Sequence, residues 1–132
     1  VVTLDTSGLL AALRRSDRDH DRVVRTLRDD RGPLILPVAI FAEVAYFLER
    51  DFRPPRLDLF VGDLISGAYA LDCGEADLPR IHELIQRYHD LPLGLADAAV
   101  IACAERNGGK VLTLDLRHFG VVAREGTITI VP

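Results

Sequence analysis

VVTLDTSGLLAALRR, residues 1–15, decides the fold class. Residues 1–5 are a short apolar run that closes on an acid, the pattern of a buried strand. Residues 7–15, SGLLAALRR, then follow a helical spacing, with Asp5, Thr6 or Ser7 available as a cap. A strand that turns directly into a helix opens an α/β unit, and the rest of the chain continues the alternation.

Residues 17–29 read as a polar helix with a narrow apolar stripe of Val23, Val24 and Leu27. Gly32-Pro33 breaks it, and LILP (34–37) is a second strand. Residues 38–52 form a strongly apolar helix that stops before Pro54-Pro55. Leu57, Phe60, Val61 and Leu64 recur at helical spacing in 57–65, and AYALD (68–72) is a third strand. Residues 75–88 and 95–107 are helical, the latter ended by Asn107-Gly108-Gly109. KVLTL (110–114) and TITIV (127–131) are the last strands. Short apolar strands separated by helices predict an α/β fold, one domain over 1–132. It is an α/β/α sandwich around a mainly parallel sheet. Ligand sites in such sheets lie beyond the carboxyl ends of the strands.

The composition is that of a globular chain, 48% apolar and 27% charged over 132 residues. No apolar run approaches the roughly 20 residues that span a bilayer, and the N-terminal stretch does not read as a signal peptide. Cys73 and Cys103 have no ligand-type spacing; Cys103, in an Ala-rich helix, is expected in the core, and the cytoplasm is the expected compartment. The formal net charge of −4 disfavours broad electrostatic binding to nucleic acid. It leaves room for a nucleic-acid enzyme whose bound cations offset its acids. The basic residues are nearly all Arg, with Lys110 the single Lys.

Most of the 20 acids sit in polar runs and read as solvated, among them Asp51, Asp77, Glu105 and Glu125. Four do not. Asp5 and Asp115 each end an apolar strand. Glu43 shares a helical face with Ile40, Val44 and Phe47, and Asp97 shares one with Val100, Ile101 and Ala104. Taken singly, Asp5 and Asp97 fit helix caps, Glu43 a buried ion pair and Asp115 a turn. Brought together they would repel, and a cation would have to neutralise them. A carboxylate set without a His–Cys cluster favours Mg²⁺ or Mn²⁺ over Zn²⁺.

The order of these features resembles the PIN domain, in particular the VapC toxins of toxin–antitoxin pairs. The likeness rests on the strand with Asp5-Thr6-Ser7, the isolated Glu43, LADAAVIACA (95–104) and TLDLRHF (113–119), and it covers essentially the whole chain. It implies a Mg²⁺- or Mn²⁺-dependent endoribonuclease with Asp5, Glu43, Asp97 and Asp115 as the catalytic, metal-holding acids. It also implies that Thr6 helps order the site, and that Thr113 supports it from behind. Ser7 is expected to cap a helix. Arg14, Arg15 and Arg117 are candidate RNA contacts, and His118 a candidate for proton transfer.

The resemblance further implies a VapB-like antitoxin and a homodimer. The region of Tyr46, Phe47, Phe52, Pro54, Pro55 and Phe60 is the candidate antitoxin groove. The alternative is a PIN-like module that binds RNA or protein without cleaving. A phosphoacceptor receiver would need a second acid beside Asp5 and a Lys after the last strand. A haloacid-dehalogenase-type phosphatase would need Asp-x-Asp where Asp5-Thr6-Ser7 stands.

Overall fold

The computed structural model describes residues 1–54 and 56–132. Five strands, β1 (Val2–Leu4), β2 (Leu34–Pro37), β3 (Ala70–Asp72), β4 (Lys110–Leu112) and β5 (Thr129–Val131), form one sheet in the order β3-β2-β1-β4-β5. All pairings are parallel; Thr3 lies between Ile35 of β2 and Val111 of β4. The sequence reading matches β2 and makes the other four strands one or two residues too long at one or both ends. At Asp5 the chain leaves β1 in extended conformation, its N–H donating to the Leu112 carbonyl at 3.0 Å.

The strand order fixes where a site can form. From β1 through β2 to β3 the chain steps one way; it then crosses back over β1 and continues to β5. Right-handed crossovers place the connecting helices on opposite faces for the two directions. The contacts agree. Helices α1 (Thr6–Leu13), α2 (His20–Asp29), α3 (Phe41–Asp51) and α4 (Leu57–Ser66) pack among themselves. So do α5 (Leu78–Arg87), α6 (Leu95–Arg106) and α7 (Leu116–Ala123). The order therefore reverses between β1 and β4, and a crevice opens at their carboxyl ends.

The core lies between sheet and helices. Strands β1, β2 and β4 contact α6, in which every residue from Ala98 to Ala104 is buried, and Leu4, Leu36, Val111 and Leu112 are fully buried on the sheet. Cys103 is in this core, as expected. Small side chains let α6 approach closely, and α1 is tight against the sheet at one point. A Cβ on Gly8 would stand 2.6 Å from the Leu112 carbonyl oxygen, so this turn of α1 rests directly on the end of β4.

Several boundaries differ from the sequence reading. The second helix begins at His20, because Asp17 accepts from the Asp19 N–H and holds residues 17–19 in a turn. Residues 38–52 are not one helix: Val38–Ile40 is a 3₁₀ turn that precedes α3. A 3₁₀ turn, Glu75–Asp77, likewise precedes α5. The sequence reading missed α7 altogether. It is only eight residues long and Gly120 interrupts its apolar residues, so it offers little more than two turns of periodicity to read.

Candidate functional site

The four singled-out acids come from four different elements and line one pocket. Asp5 follows β1, Glu43 is in the first turn of α3, Asp97 in the first turn of α6, and Asp115 follows β4 at the start of α7. They surround a cavity of about 300 Å³ completed by Thr6, Ser7, Leu10 and Phe47. The cavity lies at the reversal point between β1 and β4, and among the described residues no basic side chain lines it.

Asp5 is the fixed member, 6% exposed. Ser7 Oγ donates to its Oδ2 at 2.7 Å and Thr113 Oγ1 donates to the same oxygen at 2.8 Å. Burial pushes the Asp5 carboxyl above the usual range, and these two hydroxyls offset part of the push. Ser7 is therefore not the expected cap. Asp5 occupies the N-cap position of α1, and Ser7 reaches across to β4, where its hydroxyl also accepts from the Leu114 N–H at 3.0 Å. Thr113 meets its expected place behind the site: besides holding Asp5, it accepts from the Asp115 N–H at 3.0 Å. Thr6 lines the pocket, but its buried hydroxyl has no hydrogen-bond partner among the described residues.

Asp97 is half-buried, with Val100, Ile101 and Ala104 of its face fully buried, as the periodicity predicts. Burial raises its pKa, and so do the charges of Asp5 and Asp115. Glu43 departs from expectation. Once residues 38–40 turn as 3₁₀, the inward face of α3 is Val44 and Leu48, and Glu43 stands exposed at the pocket rim. Its carboxyl is still pushed up, first by partial burial, then by the charge of Asp5, with Asp97 adding to it.

Asp115 takes the cap role the sequence left open. Its Oδ1 accepts from the His118 N–H at 3.1 Å at the start of α7, and its Oδ2 lies 2.8 Å from His118 Nδ1. His118 thus backs the pocket through Asp115.

Glu43 and Asp97, raised first by burial and then by neighbouring carboxylates, and a pocket lining without Arg or Lys among the described residues fit a bound cation. An all-oxygen donor set suits a hard divalent ion. Among the described residues no three His, Cys, Asp or Glu side chains gather tightly enough to hold an ion as they stand. The carboxylates ring the cavity, and closing on an ion takes side-chain rotation, which the exposed Glu43 is free to make.

The other candidates spread out. Arg117 is exposed on the first turn of α7, beside Asp115. Arg14 and Arg15 follow the far end of α1 and line a separate cleft. The proposed aromatic groove is partly core: Phe52 is 6% and Phe60 2% exposed, and Phe60 packs on Phe41 and Tyr69. Tyr46 remains at the surface against Phe47, and Pro55 lies outside the described residues.

A family model described as the PIN domain matches residues 2–125. Ribonuclease VapC26 of Mycobacterium tuberculosis is 29% identical over 133 positions, covering 98% of each chain. Two solved structures share the fold. One is the M. tuberculosis sarcin–ricin-loop-cleaving toxin VapC20, with TM-score 0.75 and 18% identity over 92% of this chain and 95% of that one. The other is DNA-bound VapBC of Salmonella typhimurium, with TM-score 0.70 and 19% identity over 98% and 95%.

Proposed function

The chain belongs to the PIN domain family, and from that premise we propose that it is a Mg²⁺- or Mn²⁺-dependent endoribonuclease, the toxin of a toxin–antitoxin pair. One observation carries the reading. Residues distant in sequence, Asp5, Glu43, Asp97 and Asp115, line a single pocket at the strand-order reversal, and no described lining residue is basic. The names of VapC26, a ribonuclease, and VapC20, a toxin that cleaves the sarcin–ricin loop, support the same chemistry.

A divalent cation, when bound, supplies activation of water and neutralisation of charge on the phosphate. The chain supplies the rest. Asp5, Asp97 and Asp115 offer carboxylate oxygens from inside the pocket, and Glu43 offers one from its exposed rim. Ser7 and Thr113 set the orientation of Asp5, and His118 sets that of Asp115. Leu10 and Phe47 wall one side and limit access of bulk water.

The partner in this reading is a VapB-like antitoxin, in line with the VapBC structure, and a basic segment of such a partner would be drawn to the acid pocket. The exposed Tyr46 is the part of the aromatic region left to receive it. A homodimer belongs to the same reading and is checked by sedimentation of the isolated chain. No helix among the described residues is long and apolar enough to cross a membrane, and the cytoplasm is the proposed compartment.

The deciding experiment is RNA cleavage by purified protein with Mg²⁺ or Mn²⁺. Asp97→Asn is expected to lower the rate by about a hundredfold or more, the scale seen when one group that stabilises transition-state charge is lost. Undiminished cleavage by the folded variant would refute the assignment. Calorimetric titration with Mn²⁺ separates it from the non-cleaving module, which has no need of the ion.

A further inference from the structure

Away from the acid pocket, arginines gather at the far ends of α1 and α3. Arg14, Arg15, Arg53 and Arg56, with Asp51 as the sole carboxylate, line a cleft of about 360 Å³ around Phe52. Four guanidiniums to one carboxylate invert the sign of a chain whose formal net charge is −4.

The cleft has a fixed floor. Phe52 is 6% exposed, and the guanidiniums of Arg14 and Arg56 lie over its ring at 5.1 and 5.7 Å from the centroid. Asp51 is already occupied: Arg50 donates to both its oxygens, and Arg14 stands 3.7 Å away. Arg53 donates to the Glu49 and Phe52 carbonyls, which caps the end of α3. That capping explains Arg53 in part and packing on Phe52 explains Arg56 in part, but neither contact neutralises the charge of Arg15 or Arg56. Both are exposed, and among the described residues no carboxylate pairs with Arg15, Arg53 or Arg56.

The placement links this cleft to the pocket. Helices α1 and α3 both start at the acid pocket and run side by side, and both end at the cleft, where Arg14 meets Asp51. Leu10 and Phe47 wall the pocket; one turn further on, Leu13 and Asp51 wall the cleft. From Glu43 to Asp51 is about 12 Å at ~1.5 Å per helical residue. A nucleic-acid strand that places one phosphate over the acids can therefore lay another, a few nucleotides away, over the arginines. Guanidinium matches phosphate oxygens and is indifferent to base identity.

We infer that the Arg14–Arg15–Arg53–Arg56 cleft binds the phosphodiester backbone of the RNA whose scissile bond lies in the acid pocket, a few nucleotides from that bond. The inference rests on the ribonuclease reading of the pocket. The arginines supply register and affinity, and the acids supply the chemistry.

The test uses the full chain carrying Asp5→Asn, so that RNA is bound and not cut, and single-stranded RNA oligonucleotides in a salt series. Arg53→Ala with Arg56→Ala is expected to weaken binding about tenfold and to reduce the salt slope by about 1.4, at ~0.7 per phosphate contact on a single strand. Arg25→Ala with Arg28→Ala, an equal charge loss on exposed α2 positions, is expected to leave both nearly unchanged. In the otherwise native chain, the cleft variant should raise KM for a long RNA and spare kcat.

Equal losses from both double variants would mean a diffuse charge effect, and no loss from the cleft variant would mean no contact; either overturns the inference while native cleavage keeps the ribonuclease reading intact. If the cleft variant keeps its RNA affinity and loses affinity for an oligo-glutamate peptide, the cleft serves an acidic protein segment and the inference is overturned. Absence of both cleavage and RNA binding in the native chain would remove the ribonuclease reading and this inference together.

Discussion

Thr113 Oγ1 donates to Asp5 Oδ2 at 2.8 Å, joining residues 108 positions apart where β1 and β4 lie side by side. The same hydroxyl accepts from the Asp115 N–H, so one buried threonine orients two of the pocket's acids.

Thr113→Val keeps the shape and removes both bonds. It leaves Asp5 with Ser7 alone and the Asp115 N–H without its acceptor. A loss of about 1–3 kcal/mol in urea unfolding is expected, together with weaker cleavage than the stability loss explains. Unchanged cleavage would mean that Asp5 is held well enough by Ser7.

Mn²⁺ should raise the melting temperature of the native chain. A ligand that binds only the folded state adds about 2.7 kcal/mol at a hundred times its dissociation constant. Asp5→Asn removes a buried carboxylate whose pKa is raised by burial, so the metal-free variant should melt no lower than the native chain. It should also lose most of the Mn²⁺-dependent rise. Differential scanning fluorimetry with and without the ion checks both.

Glu125 governs part of the acid response. Burial works against its charge, yet hydrogen bonds from Tyr88, Arg87 and Arg80 hold its pKa at about 2 against an ordinary 4.5. A carboxyl lowered by folding contributes stability above about pH 4.5, and that contribution is lost as pH falls toward 2. Glu125→Gln should cost roughly 1–3 kcal/mol at neutral pH and flatten the acid limb in that window. An unchanged acid limb would show that this carboxylate titrates alike in both states.

Gly8→Ala tests the fit of α1 on β4. Its methyl would meet the Leu112 carbonyl oxygen at 2.6 Å and Leu112 Cγ at 2.8 Å. Backbone cannot give way as a side chain does, so a loss of about 1–3 kcal/mol is expected in spite of alanine's helix preference. Cleavage should fall as well, because the shift carries Thr6 and Ser7 with it.

Local pattern made the α/β class legible, because strand and helix periods are written in consecutive residues. LILP at 34–37 and the start at Leu95 match the structure to the residue. The acids stood out by context: Asp5 and Asp115 at strand ends, Asp97 on an apolar helical face. Asp77, Glu105 and Glu125 show where context misled. They read as solvated, yet Asp77 is buried and takes two bonds from Arg106, while Glu105 and Glu125 clamp Arg80. Their partners lie 20 or more positions away, and no local rule supplies a partner at that distance.

The sequence by itself determined the alternation of elements, and it distinguished the four acids from the other 16 of the chain's 20. Only the tertiary structure decided what surrounds them. It gave Ser7 to Asp5, moved Glu43 to the rim, and added α7 with His118 behind Asp115. It also moved Arg14 and Arg15 away from the acids and set them beside Arg53 and Arg56. The reason is strand order. Periodicity tells a residue which face it is on, but its neighbours depend on which strands lie side by side, and that is settled by packing the whole chain.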